Sequence, residues 1–447
     1  MGFVSNVLYF TVHPLHLRYI LQRTLFRNSL QNHNFNNLSP TQKTCFYYLD
    51  KTGRSYSFVI KSLHAELLFP VTIFYLILRG LDTIEDDGSI DPEGKGELLR
   101  GFKDVLDIDE WRFDGCGEGV PDRDLLLYFD CVITEYKKLK RMYREILKDI
   151  TGKMGAGMAK YTTKSSGIKT MSEYDEYCWY VAGIVGEGLT RLFVEGGFVD
   201  RALLERKHLH KSMGLLLQKT NIIRDVHEDY VDGRRFWPEK FWSRHVDNFD
   251  DLFKRDSVYQ GKALDCSTHM VANALSHVED CLSYLSQLNE PSIFNFCAIP
   301  QAMALATLEL CFMNPELFER NLKISKGDAI GIICQVEGGG MSRLCAVVLR
   351  YIKRIEERCP PSDPYFLELR VVCAKIEKTI DMLLHSRNGE SKSTQDIAVG
   401  RNLISQATNG ERLFFGKVLL AGTFAVVVGA GVLAARHFSF SSGLFEV

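Results

Sequence analysis

Apolar residues recur at spacings of three and four along most of the chain, and this periodicity predicts helices. The predicted helices cover residues 63–84, 125–150, 173–195, 201–230, 268–288, 296–312 and 341–357. The alternation of period two that is typical of strands is nearly absent. Turn-forming dipeptides such as Asp87-Gly88 and Pro360-Pro361 separate several of the helical segments. The pattern therefore predicts an all-α protein.

The pattern changes near both ends of the chain. Residues 385–412 are polar and rich in Ser, Asn, Gln and Gly, which indicates a linker. Residues 413–436 are mostly apolar and include an uncharged run from 418 to 435, long enough for a transmembrane helix. A buried core helix is the alternative, but the position after a polar linker favours a membrane anchor. We therefore predict a catalytic domain over 40–384, an anchor over 413–436 and a short tail over 437–447.

The first 39 residues mix apolar side chains with His13, His16, Arg18 and Arg23, so they do not resemble a cleaved signal peptide. We expect them to form a separate N-terminal segment with a packed or amphipathic role. Without such a signal, the C-terminal segment would be a tail anchor that leaves the catalytic domain in the cytosol.

Composition narrows the possible functions. The 447 residues are 46% hydrophobic and 25% charged, which is ordinary for a globular protein. The net charge of −2 gives no indication of a nucleic-acid-binding surface. The 12 cysteines are scattered and form no C-x-x-C pair, which favours a reducing compartment over a disulfide framework or a zinc site.

One carboxylate pattern, D-x-x-E-D, occurs twice. The first cluster is Asp82, Glu85 and Asp86, and the second cluster is Asp225, Glu228 and Asp229. Positions i, i+3 and i+4 of a helix share a face, so each copy is predicted to present three carboxylates together. Such carboxylates repel one another unless a cation faces them, and Mg²⁺ commonly combines one or two carboxylates with substrate phosphates. The two clusters predict opposite walls of a cavity that binds a diphosphate through metal.

Polar residues near the clusters extend this hypothesis. Tyr75 and Arg79 precede the first cluster on the same helix face, whereas Gln218, Asn221 and Arg224 precede the second cluster and Arg234 follows it. Arginines suit phosphate recognition because their planar guanidinium donates in pairs. The alternative is a solvated acidic helix end, but such a face usually carries Lys or Arg four residues away, and positions 89 and 90 are Ser and Ile.

Two aromatic segments and one glycine pair have less specific patterns. Tyr180 lies one turn before Gly183, and Gly183 and Gly186 allow either another helix or a ligand to approach. Phe296 is first a candidate core residue, although an aromatic face in a cavity can also stabilise a carbocation. Gly155-Ala156-Gly157 is a weak nucleotide signal because no strand precedes it. Any dinucleotide would need a site unlike the Rossmann fold.

Five segments together resemble the squalene synthases of the squalene/phytoene synthase family. They are LDTIEDD, YCWYVAGIVGEGL, QKTNIIRDVHED, GRRFWP and FNFCAIPQAMA, and the resemblance covers about residues 40–355. It implies an all-α, isoprenoid-synthase-type helical bundle around a central cavity. It also implies that two farnesyl diphosphates condense head to head to presqualene diphosphate, which NADPH then reduces to squalene. Mg²⁺, the endoplasmic reticulum membrane and a monomer are further expectations.

The resemblance assigns roles by motif position. The metal ligands would be Asp82, Glu85, Asp86, Asp225, Glu228 and Asp229. Catalysis would involve Tyr180 and Phe296 beside Asp82 and Asp225. The substrate contacts would be Tyr75, Arg79, Gln218, Asn221 and Arg234. NADPH would contact Arg54, Arg79, Arg224 and Lys323.

The chain departs from the family pattern at Gly53, Tyr56 and Ser325, and these departures affect the NADPH contacts most. One alternative is a phytoene- or dehydrosqualene-type synthase, which uses no NADPH in forming its product. A chain-elongating prenyltransferase fits less well because its usual motif is D-D-x-x-D. A membrane-tethered helical scaffold would be expected to lack some of the carboxylates, and all six are present.

Overall fold

The computed structural model describes residues 33, 35–53, 55–162 and 167–388, and these residues contain helices but no strand. The α-helices, in chain order, are α1 Pro40–Gly53, α2 Ser55–Lys61, α3 Ala65–Asp86, α4 Pro92–Val105, α5 Arg123–Leu127, α6 Phe129–Lys138, α7 Arg141–Thr162, α8 Met171–Cys178, α9 Ile184–Glu195, α10 Ala202–Glu205, α11 Lys207–Arg224, α12 Val226–Val231, α13 Glu239–Trp242, α14 Ser257–Leu275, α15 Val278–Leu285, α16 Pro291–Cys311, α17 Lys326–Glu337, α18 Gly340–Arg358 and α19 Phe366–Asn388. A π-helical turn, Trp179–Gly183, joins α8 to α9, and 3₁₀ turns cover Phe35–Asn37, Phe249–Phe253 and Pro315–Phe318.

Two helices organise the bundle. Helix α3 packs against α1, α4, α6 and α7, so apolar residues occupy most of its circumference. Helix α11 packs against α9, α14, α15, α16 and the π-helical turn. A helix that is apolar nearly all round is stable only when other helices surround it. The first carboxylate cluster lies on α3, and the second begins where α11 ends.

Several predicted helices are interrupted in the structure. The segment predicted as one helix over 125–150 forms α5, α6 and α7, and Leu139 adopts an extended conformation at the second joint. The Tyr136 hydroxyl donates to the Arg144 carbonyl across that joint at 3.0 Å, a contact that periodicity does not encode. The segments predicted over 201–230 and 268–288 are likewise divided, into three helices and two helices.

The π-helical turn interrupts the helix predicted over 173–195, and helices α1, α2, α4, α13, α17 and α19 had no counterpart in the prediction. Asp91 caps the start of helix α4, and its carboxylate accepts from the backbone N–H groups of Glu93 and Gly94. This capping signal is readable from sequence. Helix α19 extends to Asn388, past the predicted linker start at residue 385.

Two described helices, α3 and α16, are long and apolar enough to cross a membrane by composition, but 78% of the most apolar stretch of each is buried in the protein. Their apolar character therefore reflects a position in the core of the bundle. The predicted anchor at 413–436, the tail at 437–447 and most of the N-terminal segment lie outside the described residues.

Candidate active site

A polar stripe runs along the otherwise apolar helix α3. Its partly or fully exposed members are spaced three and four residues apart, so they share one face, and they are Tyr75, Arg79, Asp82, Glu85 and Asp86. The residues between them, including Leu78, Leu81 and Ile84, are buried. The first cluster thus lies on one continuous helix, as the sequence predicts.

Arg79 is oriented by a carboxylate that the sequence does not point to. Its Nε and Nη2 atoms lie 2.7 and 2.6 Å from Oδ2 of Asp122, which belongs to the loop before α5. Its Nη1 lies 3.9 Å from Oδ2 of Asp82. The guanidinium therefore stands beside the first cluster with its direction set from outside the helix.

The protein surrounding the first cluster destabilises its charged form. Desolvation, opposed by Arg79 and reinforced by Asp86, raises the pKa of Asp82 to about 7. Desolvation and the charges of Asp86 and Asp82 raise the pKa of Glu85 to about 8. The Asp82 side chain nevertheless remains 32% exposed. The Asp82 carboxylate thus combines desolvation by the surrounding protein with partial access to solvent.

The second cluster spans a helix break. Asp225 adopts φ −94° and ψ 10°, so it ends α11 and precedes α12, which carries Glu228 and Asp229. The indole N–H of Trp237 donates to the carbonyl of Ile222 at 3.0 Å and thereby engages a backbone acceptor next to the break. The backbone N–H of Asp225 still donates to the Asn221 carbonyl at 2.9 Å, and that of Asp229 donates to the Asp225 carbonyl at 2.8 Å, so the interruption is local. The placement of Gln218, Asn221 and the second cluster on one helix face stays a prediction.

Asp225 has two partners. The Arg224 guanidinium donates to both of its carboxylate oxygens, at 2.7 and 2.6 Å. The side-chain amide of Asn321 donates to Oδ1 of Asp225 at 2.8 Å and to Oε2 of Glu228 at 2.6 Å. Asn321 lies about a hundred residues along the chain from the carboxylates, and the sequence analysis did not single it out.

Arg234 joins the two clusters. Its Nη2 lies 3.0 Å from Oδ1 of Asp229, and its Nη1 lies 3.8 Å from Oδ1 of Asp86. Burial of Asp229, against the attraction of Arg234, raises the pKa of this carboxyl to about 7. One guanidinium can reach both carboxylates only if Asp86 and Asp229 lie close together. The fold thus brings the two clusters to the same region, and their position on opposite walls of a cavity stays a prediction.

The oxygen-rich donor set suits a hard cation such as Mg²⁺. Within the described residues, however, no three His, Cys, Asp or Glu side chains already converge as metal ligands. Residues that share a helix face need not bring their carboxylate oxygens to one point without a cation, so the binding of metal by each cluster stays a prediction. Mg²⁺ commonly takes only one or two carboxylates and completes its coordination with phosphates and water, so the arrangement fits such a group.

Tyr180 lies in the π-helical turn and packs on α7. A Cβ atom at Gly157 would lie 2.2 Å from Cγ of Tyr180, so only glycine permits this ring position. The Lys160 ammonium lies 6.0 Å from the Tyr180 ring centre. The Gly155-Ala156-Gly157 segment, a weak nucleotide signal in the sequence, is therefore a helical packing surface. Single π-turns often occur at functional sites.

The structure decides between the two interpretations of the glycines after Tyr180. A Cβ at Gly186 would lie 2.2 Å from the carbonyl oxygen of His210, which belongs to α11. The approaching group is thus a helix, at least at this glycine. Phe296, on α16, is 7% exposed and packs edge to face with Phe193 at 6.3 Å. This position agrees with the interpretation of Phe296 as a core residue.

The other residues predicted to contact substrate or NADPH lie at separate places in the fold. Gln218 is partly exposed on α11 and Asn221 is exposed one turn later. Lys323 is exposed in the segment between the 3₁₀ turn Pro315–Phe318 and α17. Arg54 lies outside the described residues. The contacts of the described residues therefore do not gather the predicted NADPH residues into one group.

Two residues of the site, Asp122 and Asn321, were missed because their signal is tertiary. Asp122 occupies a polar loop with a positive φ of 63°, and Asn321 occupies a segment without clear periodicity. Neither belongs to a motif with the arginine or carboxylates that it contacts. A polar residue in a loop has many possible roles, and only the folded chain selects one.

Comparison with known proteins identifies relatives across most of the chain. The model of the squalene/phytoene synthase family matches residues 49–328. A squalene synthase of Gibberella zeae is 46% identical over 93% of this chain and 89% of its own length. A squalene synthase of Saccharomyces cerevisiae is 43% identical over 86% of both chains. A solved structure of TcSQS with the ligand E5700 superposes with a TM-score of 0.74 at 35% identity, covering 77% of this chain and 99% of that one.

Proposed function

This chain belongs to the squalene/phytoene synthase family, and we propose that it makes squalene by joining two farnesyl diphosphates head to head and reducing the presqualene diphosphate that forms. The relatives named as squalene synthases support the overall activity. The observation that supports the two-substrate mechanism is the proximity of the two carboxylate clusters, which Arg234 contacts at Asp86 and Asp229.

The carboxylate oxygens of this site suit Mg²⁺. Asp82, Glu85 and Asp86 on α3 would hold it on one side, and the second cluster, Asp225, Glu228 and Asp229, on the other. When bound, Mg²⁺ would neutralise negative charge on a diphosphate as that group leaves. The raised pKa values of Asp82 and Asp229 indicate that these desolvated carboxylates need a nearby cation to remain charged.

The arginines would bind and orient the substrate diphosphates. Arg79 is directed by Asp122, while Arg234 reaches carboxylates from both clusters. A guanidinium makes paired hydrogen bonds to phosphate oxygens, which fixes orientation as well as position. Tyr75 precedes Arg79 by one turn, and Gln218 and Asn221 extend the opposite wall. These three would contact the substrate beside the diphosphate.

The apolar helices would exclude water from the reacting carbon atoms. Squalene synthesis through carbocations requires this exclusion because water would capture a cation as an alcohol. Tyr180, fixed by its packing on Gly157, would donate or accept a proton or face the developing cation in the first step. Phe296, which packs against Phe193 in the core, would present its aromatic face to the carbocation of the second step and stabilise it.

NADPH would supply the hydride for the second step. Its phosphates would contact basic residues at the edge of the site, and the candidates are Arg54, Arg79, Arg224 and Lys323. Arg224 is bound to Asp225, so we expect it to act at the boundary between the metal and nucleotide sites.

We further propose that residues 413–436 anchor the protein in the endoplasmic reticulum membrane and that the catalytic domain, 40–384, faces the cytosol as a monomer. The support is the apolar length of the segment and the apolar product, which has an exit into lipid beside such an anchor.

The proposed function is tested with the detergent-solubilised chain, farnesyl diphosphate and Mg²⁺, with and without NADPH. We expect presqualene diphosphate in both reactions and squalene only with NADPH. Formation of presqualene diphosphate but no squalene would favour a phytoene- or dehydrosqualene-type synthase. Failure to form presqualene diphosphate in either reaction would contradict the proposal.

A further inference from the structure

Asn321 connects two carboxylates that lie on opposite sides of a helix break. Its Nδ2 atom lies 2.8 Å from Oδ1 of Asp225 and 2.6 Å from Oε2 of Glu228. A primary amide has two N–H donors, and here each one has a separate carboxylate acceptor. The side chain therefore bridges two carboxylates at a point where the helix that carries them is locally interrupted.

The chemistry supports the orientation of this amide. If the Asn321 side chain were rotated by half a turn, its carbonyl oxygen would face both carboxylates and be repelled by them. The Oδ1 atom is buried and makes no hydrogen bond within the described part of the chain. A buried acceptor without a partner is costly, so the donor contacts must stabilise this orientation.

The backbone that carries Asn321 is packed against the second cluster. The 3₁₀ turn Pro315–Phe318 contacts α12, which bears Glu228. Phe318 in this turn packs edge to face on Trp237, with ring centres 5.8 Å apart. Trp237 also donates to the Ile222 carbonyl beside the helix break. One apolar contact therefore links the position of Asn321 to the geometry of the break.

We propose that Asn321 is a positioning residue that sets the spacing of the Asp225 and Glu228 carboxylates for a divalent cation. This inference rests on the proposed function. In this scheme Asn321 acts on the carboxylates through its N–H donors, while its carbonyl oxygen, the atom through which an amide would bind a metal, is buried. Its role is to counter their mutual repulsion and reduce the number of orientations that they adopt.

Hydrogen-bond partners of metal ligands commonly affect metal affinity by about 10–100-fold. Asn321→Leu keeps the approximate size of the side chain but removes both donors. We expect it to weaken Mn²⁺ binding in the presence of inorganic pyrophosphate by roughly tenfold or more. Mn²⁺ serves as the probe because electron paramagnetic resonance measures its free and bound fractions directly.

The experiment uses the full chain in detergent and three variants. Asn321→Leu removes the donors, Asn321→Gln keeps the amide but displaces it by one methylene, and Arg320→Ala changes the adjacent exposed residue, which pairs with Glu316. Arg320→Ala should bind Mn²⁺ as the unmodified chain does, and Asn321→Gln should lie between the other two. The Mg²⁺ concentration for half-maximal rate should rise in Asn321→Leu, with most of kcat recovered at saturating Mg²⁺.

If Asn321→Leu binds Mn²⁺ as tightly as the unmodified chain, the inference is overturned. A residue that only stabilises the fold would leave the affinity for metal unchanged in this way. If the far-UV signal shows that Asn321→Leu is unfolded, Asn321→Gln decides by the same criterion. The two proposals fail separately. A chain that binds Mn²⁺ with pyrophosphate but makes no squalene would contradict the proposed function, while the Mn²⁺ comparison would still decide the role of Asn321.

Discussion

The two carboxylate clusters share one sequence pattern but have different backbones. The first cluster lies on the uninterrupted helix α3, whereas the second is divided by the break at Asp225. A continuous helix fixes the relative positions of its carboxylates through backbone hydrogen bonds. At the local break the Asp225 backbone leaves regular helical geometry, and side-chain partners such as Arg224 and Asn321 hold its carboxylate. The same motif is thus positioned by local structure in one place and by tertiary contacts in the other.

The contacts that hold helices α3 and α11 in place also differ. Helix α3 is buried among apolar residues such as Leu81, which is 0% exposed. Helix α11 also contains the buried Lys219, whose Nζ lies 2.7 Å from Asp175 of α8 and 2.8 Å from Oδ1 of Asn273 in α14. This lysine ties three helices together, so the second cluster depends on polar contacts even at a distance from its carboxylates.

The largest expected effect comes from removing one carboxylate of each cluster. Asp82→Asn and Asp225→Asn should each lower kcat by about 10²–10³-fold or more, because each removes charge that organises the transition state. Squalene formation under saturating substrate measures the loss. Asp250→Asn changes an exposed carboxylate near Arg235 and should retain activity. A normal rate in either cluster variant would show that its cluster is not part of the catalytic site.

The second prediction compares what stabilises the two helices. Leu81→Ala should lower the free energy of unfolding by roughly 2–5 kcal/mol because it leaves a cavity in the core. Lys219→Met should cost roughly 1–3 kcal/mol, since it removes the donor to Asn273 and the ionic partner of Asp175, while Asp175 stays 41% exposed and can be partly hydrated. Urea denaturation measures both. A larger loss in Lys219→Met would reverse the comparison.

The third prediction concerns the orientation of Arg79 beside the first cluster. Asp122→Asn weakens the charged contact with Arg79 and should lower kcat/KM for farnesyl diphosphate by roughly tenfold, about 1.4 kcal/mol. Asp124→Asn is a matched control from the same part of the chain, because Asp124 forms an exposed pair with Lys51. Equal effects of the two substitutions would indicate a general disturbance there rather than a role for Asp122.

The smallest expected effect concerns pH. Without a divalent cation, the pKa of Asp82 is raised from 3.8 to about 7 and that of Glu85 from 4.5 to about 8. The unfolded chain therefore loses these protons at lower pH than the folded chain, and the free energy of unfolding falls as pH rises through this window. Mg²⁺ binds the ionised form and should offset the loss.

We therefore expect Mg²⁺ to raise the Tm more at pH 8 than at pH 6, by roughly 2–4 °C. Thermal melts with Mg²⁺ and with a chelator measure the difference. In Asp82→Asn, the metal-free Tm should fall less between these pH values. An equal Mg²⁺ effect at both pH values would contradict the link between carboxylate ionisation and metal binding.

The sequence alone determined the helical class, the two carboxylate clusters and the flanking arginines. These features follow from local periodicity and from the chemistry of side chains at fixed spacing, and both are written in consecutive residues. The interruption at Asp225 could not be derived in this way, because Trp237 and Asn321 reach the break from later parts of the chain.

The tertiary structure decided which partner each charged group has. The Asp122 contact with Arg79, the packing of Tyr180 on Gly157, and the span of Arg234 from Asp86 to Asp229 all join separate elements. Their geometry depends on how whole helices pack, and that packing minimises a sum over many long-range contacts. A motif therefore specifies which carboxylates are present, while the fold specifies what those carboxylates face.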